Sequence, residues 1–429
     1  MSTAHISSTE LVSTTPEGFA SPLPEGDYLS AGLDYYKPTM SQLAYEQEPD
    51  AEVTFTFRNR GSQRLLDYVD PAMLHQRFED IRRRGWSERE LDYLGDLRSN
   101  DGKPVFETDY LRFLADKSLP PVVIGHDETV DDLTIETTGP CALSTFWETI
   151  VMSEVNEAYF EGYLEAHGLD PMAVYDEGDR RLDEKIAILR ANPDIQFADF
   201  GTRRHFSLRW QTHVLGRLFE ECPDNLVGTS NVALAQKYDL PPIGTFAHEM
   251  PMIYAGLADA RGMDIRDSHQ QFLHDWYECY GHDLSVALTD TFTTDFFFND
   301  FTQQQAESWR GVRHDSGDPY GFGERLIEFY ESQGVDPQAK TVVFSDGLDI
   351  GQIVGLQEHF EGRIRILFGW GTTLTNDLGI RPLNVVMKAT HVRLPDTGQE
   401  ADTVKLSDNP GKHTGPHAQV ERYQEIFTR

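Results

Sequence analysis

Cysteine is scarce in this chain. Three residues in 429, Cys141, Cys222 and Cys279, with no CxxC spacing, exclude a disulfide framework and a cysteine-bound zinc. That usage fits a reducing compartment, the cytoplasm. No apolar run reaches the roughly 20 residues of a membrane helix. The first 26 residues are rich in Ser, Thr and Pro and have no apolar centre, so they do not read as a secretory signal. Positive charge is also short. Against 71 acidic residues stand 37 basic ones, only nine of them lysine, for a net charge of -34. Phosphate backbones need a basic footprint, so nucleic acid is excluded as a partner. Strong acidity with little lysine points instead to a surface adapted to salt, which screens its self-repulsion. Among motifs, the GxSxG elbow of serine hydrolases is missing. So is a GxGxxG after a first strand, which removes a nicotinamide or flavin dinucleotide site.

What the chain does have is a hydrophobic content of 39% and aromatics at 11%, enough for a sizeable core. From about residue 195 onward, short apolar runs each end in a polar or small cluster. They are "DIQFADFGTRR", "NLVGTSN", "PPIGTFAHE", "SVALTDT", "GVRHDSGD", "KTVVFSDGLD" and "RIRILFGWGTTLT", with "PLNVVMKAT" as a weaker eighth. Amphipathic stretches such as "YGFGERLIEFYESQG" lie between them. Strands alternating with helices predict parallel βα units, and seven or eight of them predict a closed or nearly closed α/β barrel. Polar residues at the strand C-termini would then converge on one mouth. Residues 29–140 read differently. "LDYYKPTMSQLAYEQEP" predicts a capped helix and "AEVTFTFRNR" a strand with one buried face, in a separate α+β domain of sandwich type. The expected order is a flexible extension over 1–28, this domain, a barrel over 141–390 and a C-terminal hairpin over 391–429 that returns to the first domain.

The chemistry is expected at those strand ends. In "FGWGTTLTND", Gly369 and Gly371 allow close backbone approach, and Thr372 and Thr373 add hydroxyls, a set that can cradle a phosphate or make a plain tight turn. In "FSDGLDI", Asp346 can cap a helix, bind a ribose hydroxyl pair or hold magnesium. "GVRHDSGDP" packs Arg313, Asp315, Ser316 and Asp318 together. An arginine there can grip a carboxylate or phosphate with two parallel hydrogen bonds, and the aspartates can bind magnesium or sugar. "DFGTRRHFS" brings Arg203 and Arg204, one of which is expected to pair with Asp199 while the other faces an anion. His248-Glu249 invites a zinc reading. Met252 stands where HExxH needs histidine, and Pro251 is expected to break the helix, so a general base or nucleophile remains. Arginines for anions, glycines for phosphate, aspartates for magnesium or sugar and one histidine together suit a phosphorylated sugar substrate.

The stretches "LDYYKPTM", "DFGTRRHFS", "GTSNVALAQKYDLPPIGTFAHE", "LTDTFTTDFFFNDF", "RHDSGDPYGFGE", "VVFSDGLD", "FGWGTTLTND" and "VKLSDNPGK" span about residues 30–415. In that order the chain resembles the nicotinate phosphoribosyltransferases. The resemblance implies an α/β barrel with an N-terminal sandwich-like domain, in a homodimer with its sites near the subunit boundary. It implies synthesis of nicotinate mononucleotide and pyrophosphate from nicotinate and phosphoribosyl pyrophosphate, coupled to ATP and served by magnesium. By motif, His248 matches the histidine phosphorylated by ATP. Tyr36, Thr245 and Arg313 match nicotinate contacts, with Arg313 on the carboxylate. Thr372 matches a phosphoribosyl contact, with Gly369 and Gly371 completing that loop, and Arg203 faces an anionic substrate. Asp315, Ser316 and Asp346 are assigned to ribose, magnesium or pyrophosphate. Glu249 is expected to orient the imidazole, or to be a surface carboxylate. Met250 stands where the family often has Trp, and Trp370 where it has a smaller aliphatic residue. The alternatives are a phosphoribosyltransferase for nicotinamide or quinolinate, and an inactive relative that senses the nucleotide.

Overall fold

The computed structural model describes residues 29–428, so the expected extension over 1–28 lies outside the described residues. Two sheets organise the described residues. The first is antiparallel, in the order β11-β10-β1-β3-β2, from β1 (Glu52–Asn59), β2 (Val122–Asp127), β3 (Asp132–Pro140), β10 (Val385–Leu394) and β11 (Gln399–Asp402). Alternation builds it. Val53, Phe55 and Phe57 of β1 are buried, while Thr54 and Thr56 on the other face bond Thr138 and Thr390 across the strands. The second sheet is parallel, in the order β5-β4-β9-β8-β7-β6. Its strands are β4 (Phe197–Asp199), β5 (Leu226–Thr229), β6 (Val286–Leu288), β7 (Gly311–His314), β8 (Thr341–Phe344) and β9 (Arg365–Trp370). All are short, and helices connect them, as parallel sheets require.

The fold is thus mixed α/β with a six-stranded parallel sheet and a separate antiparallel sheet, and two of the eight expected barrel runs are placed elsewhere. "PPIGTFAHE" is no strand. It lies across the gap between the two edge strands. The Thr229 N–H donates to Pro241 C=O at 3.3 Å, the Ile243 N–H donates to Thr229 C=O at 2.9 Å, and Thr245 Oγ1 donates to Val286 C=O at 2.9 Å. Two adjacent prolines without N–H groups cannot sustain a ladder, so this stave is irregular. "PLNVVMKAT" opens β10, which pairs with β1 over Glu52–Asn59. Val385, Met387 and Ala389 are buried on one face, the half-buried pattern of an antiparallel strand rather than one covered on both sides. β10 and β11 form a hairpin beside β1 that starts at Val385, so residues 390 and 391 both lie inside β10.

Two local expectations also shift. The helix Tyr36–Gln47 forms without a side-chain cap. The helix Glu249–Ala260 starts directly after His248 and keeps Pro251 in its first turn, where a missing N–H leaves no bond unmade.

Candidate active site

The carboxyl ends of the parallel strands face the antiparallel sheet, and a cavity of about 350 Å³ opens between them. Asn384, just before β10, and Val386 and Lys388 on it reach the cavity at alternate positions, one face of the extended chain. Among the described residues, seven cations line it: Arg60, Arg203, Arg204, Arg313, Lys388, Lys405 and Lys412. Three carboxylates oppose them: Glu148, Asp315 and Asp346. In a chain of net charge -34, that excess selects an anionic ligand.

His248 sits in the wall, 4% exposed. Its Nδ1 is 3.0 Å from Thr291 Oγ1. Its Nε2 is 3.0 Å from Asp315 Oδ2 and 2.9 Å from Lys405 Nζ, both groups of the cavity lining. Burial, then the Lys405 ammonium, bring its pKa down to about 4 despite Asp290 and Asp315, so the imidazole is neutral at pH 7. Nε2 meets both a donor and an acceptor, and the Thr291 hydroxyl can match either tautomer at Nδ1. Asp315 also accepts from Ser345 Oγ at 3.0 Å and lies 3.3 Å from Arg313 Nη2. Burial opposes its charge, yet Arg313 and His248 hold its carboxyl well below the usual range. Asp290 is likewise kept ionised near 2: burial works against it, and Lys405 overcomes that.

His248, Asp290 and Asp315 present ligand atoms within 4.8 Å of one another, the geometry of a candidate cation site. Lys405 Nζ already occupies that place, 3.3 Å from Asp290 Oδ2. The trio is thus an acid–imidazole cluster neutralised by a lysine.

Of the sequence-expected residues, the structure brings Arg203, His248, Arg313, Asp315, Asp346, Gly369, Gly371 and Thr372 to this one cavity. Gly369 is needed there, because a Cβ on it would lie 2.4 Å from the Phe200 ring. Arg313 keeps its Nε buried with no hydrogen-bond partner. Asp346 pairs with Lys412 Nζ at 2.7 Å.

Three expected residues stand outside the lining. Tyr36 is buried behind it, with the Arg203 guanidinium 5.5 Å from its ring centroid and its hydroxyl unpartnered. Thr245 uses its hydroxyl on Val286 C=O. Ser316 turns away and donates to Asp290 Oδ2 at 2.7 Å, lining a second cavity of about 860 Å³ with Ser407 and Asp408.

Other expectations are corrected. Arg203 pairs with Asp34 Oδ2 at 3.1 Å, not with Asp199. Asp199 is already satisfied by Thr229, Gln211 and the Gly201 N–H. Asp318 caps the helix Pro319–Ser332 through the N–H groups of Tyr320 and Gly321. Glu249 is neither on the surface nor on the imidazole: it is fully buried against Lys37 and Thr145. Trp370 packs edge-on against Phe197 at 5.3 Å, and Met250 is buried at 1% exposure, so both departures from the family pattern sit in packing.

Sequence reasoning singles out none of six cavity residues, Arg60, Glu148, Phe200, Lys388, Lys405 and Lys412, although Phe200 lies in "DFGTRRHFS" and Lys405 and Lys412 in "VKLSDNPGK". Lysine scarcity was the available clue. Three of the nine lysines, all within the last 42 residues, line this single cavity.

Comparison with known proteins agrees with this geometry. Residues 195–429 match the nicotinate phosphoribosyltransferase (NAPRTase) family, and residues 33–156 match the nicotinate phosphoribosyltransferase (NAPRTase) N-terminal domain. The fold is similar to the crystal structure of nicotinate phosphoribosyltransferase from Vibrio cholerae, with 31% identity, a TM-score of 0.82, and 97% of this chain and 96% of that one covered. It is also similar to the Porphyromonas gingivalis nicotinate phosphoribosyltransferase (29% identity, TM-score 0.83, coverage 93% and 99%). A putative nicotinate phosphoribosyltransferase from Saccharomyces cerevisiae matches at 25% identity and a TM-score of 0.79, with coverage of 96% and 99%.

Proposed function

The chain belongs to the nicotinate phosphoribosyltransferase family, and on that premise we propose how its cavity makes nicotinate mononucleotide from nicotinate and phosphoribosyl pyrophosphate and couples the transfer to ATP through His248. The observation that carries the reading is a neutral, buried histidine set between Asp315 and Lys405 in a cavity of seven cations.

The end of β9 and the turn after it, Gly369, Gly371 and Thr372, take the 5′-phosphate, with backbone approach kept open by the missing Cβ atoms. Arg313 holds the nicotinate carboxylate, supported by its buried, unpartnered Nε. Phe200, packed on Gly369, gives the pyridine an aromatic neighbour. Arg203 closes the anion pocket with Tyr36 behind it. The pyridine nitrogen attacks the anomeric carbon while that carbon's bond to the diphosphate oxygen breaks. The ring nitrogen carries no proton, so no base is needed. Arg60, Arg204, Lys388 and Lys412 meet the charge that grows on the leaving diphosphate. Holding nicotinate in line is worth more than acid–base help in such a step.

For ATP, the neutral His248 supplies a lone pair: a nitrogen–phosphorus bond forms as the γ-phosphorus bond to the ADP oxygen breaks. Lys405 neutralises the phosphoryl group that arrives, and Asp315 fixes the ring. Magnesium would be carried on the phosphates, Asp315 and Asp346 being the lining carboxylates that would hold it, and it would supply charge neutralisation there. The same reading carries a homodimer working in the cytoplasm.

The test is His248→Asn assayed with and without ATP. ATP stimulation should vanish while a slow ATP-independent transfer survives. Stimulation at the unmodified level would refute the phosphohistidine.

A further inference from the structure

Beneath the cavity, six ionisable side chains from both domains meet: Asp34, Lys37, Glu148, Arg203, Glu249 and Lys388. Lys37, Glu148 and Glu249 are fully buried. Lys37 contacts Glu249 and lies 2.6 Å from Glu148 Oε2. Lys388 Nζ donates to Glu148 Oε1 at 2.8 Å, and Arg203 Nη1 approaches the same oxygen at 3.9 Å. With every group ionised, three positive and three negative charges cancel.

One atom does not fit that state. Glu249 Oε2 is buried without a hydrogen-bond partner among the described residues, while Glu148 Oε2 is taken by Lys37, and the two carboxyls contact each other. Two adjacent carboxylates repel, whereas one proton shared between them removes the repulsion and gives the Glu249 oxygen a partner. The neighbours decide which carboxyl carries it. Burial opposes ionisation of Glu148, but Lys37, Lys388 and Arg203 together hold it well below the usual range. Glu249 is pushed up to about 7 by burial and then by Glu148, with Lys37 and Lys388 working the other way. Of the other groups facing it, Tyr36 and Cys141 are held neutral by burial. Thr145 donates to Glu249 Oε1 at 3.1 Å.

We propose that Glu249 is a positioning residue for substrate affinity: its shared proton leaves the cluster one charge positive beneath an anion-binding cavity, and anionic substrates bind together with that proton. Glu148, Arg203 and Lys388 carry this charge to the cavity wall. The inference rests on the proposed reading that phosphoribosyl pyrophosphate binds here. By linkage, binding the anion must raise the proton's occupancy, and losing the proton must weaken the anion.

The experiment is titration calorimetry of the full chain with phosphoribosyl pyrophosphate near pH 7, in buffers of different ionisation enthalpy, for the unmodified protein and Glu249→Gln. The ligand's own protonation is common to both. The unmodified protein should take up about half a proton more than the variant, since a group near its pKa is about half occupied. Its KM for phosphoribosyl pyrophosphate should rise by about three- to tenfold between about pH 6.5 and pH 8.5 at constant kcat, while that of Glu249→Gln stays flat. Glu249→Asp should restore the slope, which a purely structural role would not do. Equal proton uptake and equal pH profiles in both proteins would overturn the inference. No binding in either would instead overturn the proposed function. An infrared pH titration of the unmodified protein decides the matter even where variants fold poorly: a protonated-carboxyl band must titrate near neutrality and grow when phosphoribosyl pyrophosphate binds, and a band doing neither refutes the shared proton.

Discussion

Replacing Lys405 with methionine tests the site at its centre. The stem stays nearly isosteric while the ammonium is lost from 2.9 Å beside His248 Nε2 and 3.3 Å from Asp290 Oδ2. Two consequences oppose each other in sign. Asp290, 1% exposed, loses its cation, and a buried charge stripped of its partner costs about 3–5 kcal/mol. His248 loses the cation that, after burial, does most to hold its pKa near 4, while Asp290 at 3.7 Å and Asp315 at 3.0 Å remain to draw a proton onto it. A unit charge at this range in an effective dielectric near 20 is worth about 4 kcal/mol or more; discounting half for relaxation still moves the imidazole up by roughly 1.5 pH units. The protonated ring then offsets part of the Asp290 penalty. The assay is the pH dependence of ATP-driven phosphorylation of the enzyme, followed with labelled γ-phosphate. The unmodified enzyme should be flat from pH 8 down to about 5.5, well above the group near 4. Lys405→Met should show an acid limb about 1.5 units higher and reduced phosphoenzyme throughout. A variant that is folded, equally phosphorylated and unchanged in pH profile would refute the claim that Lys405 sets the state of His248.

Arg313→Gln should raise the nicotinate KM by about ten- to a hundredfold, the loss of a charged hydrogen bond of roughly 1.5–3 kcal/mol, and should shrink the preference over nicotinamide. Competition between the two pyridines measures it, and unchanged selectivity places the carboxylate elsewhere. His205 and His248, both buried and both lowered to about 4, bind protons only when the chain unfolds between about pH 6.5 and 4. Stability must therefore rise with pH across that window and fall as acid is added, by up to about 3 kcal/mol for each histidine, which denaturant midpoints at several pH values will read. The acidic surface, 71 acidic against 37 basic residues, should give an unfolding midpoint that rises from low to molar salt, and a midpoint that does not rise removes the salt-adaptation reading.

Much of the site was legible because its residues follow strand ends. A run such as "KTVVFSDG" encodes both β8 and the polar group its end must present, so eight expected residues meet in one cavity. Ser316 was misread for the same reason: adjacent positions after a strand point opposite ways, and sequence does not say which way faces the mouth. Lys388, Lys405 and Lys412 were missed because, even with Lys405 and Lys412 inside the stretch "VKLSDNPGK", nothing in the residue order shows that these side chains reach the strand ends.

The chain's residue order by itself determined most local elements, the half-buried alternation of β1, the glycines where β9 ends and the polar character of the strand ends. Those depend on neighbours along the backbone. Only the tertiary structure decided that β10 leaves the parallel sheet for β1, that Lys405 reaches His248 across 157 positions, and that Glu249 shares a buried cluster with Glu148. The physical reason is that charge and protonation are set by what is packed within a few ångströms in a low dielectric, and those partners come from distant parts of the chain.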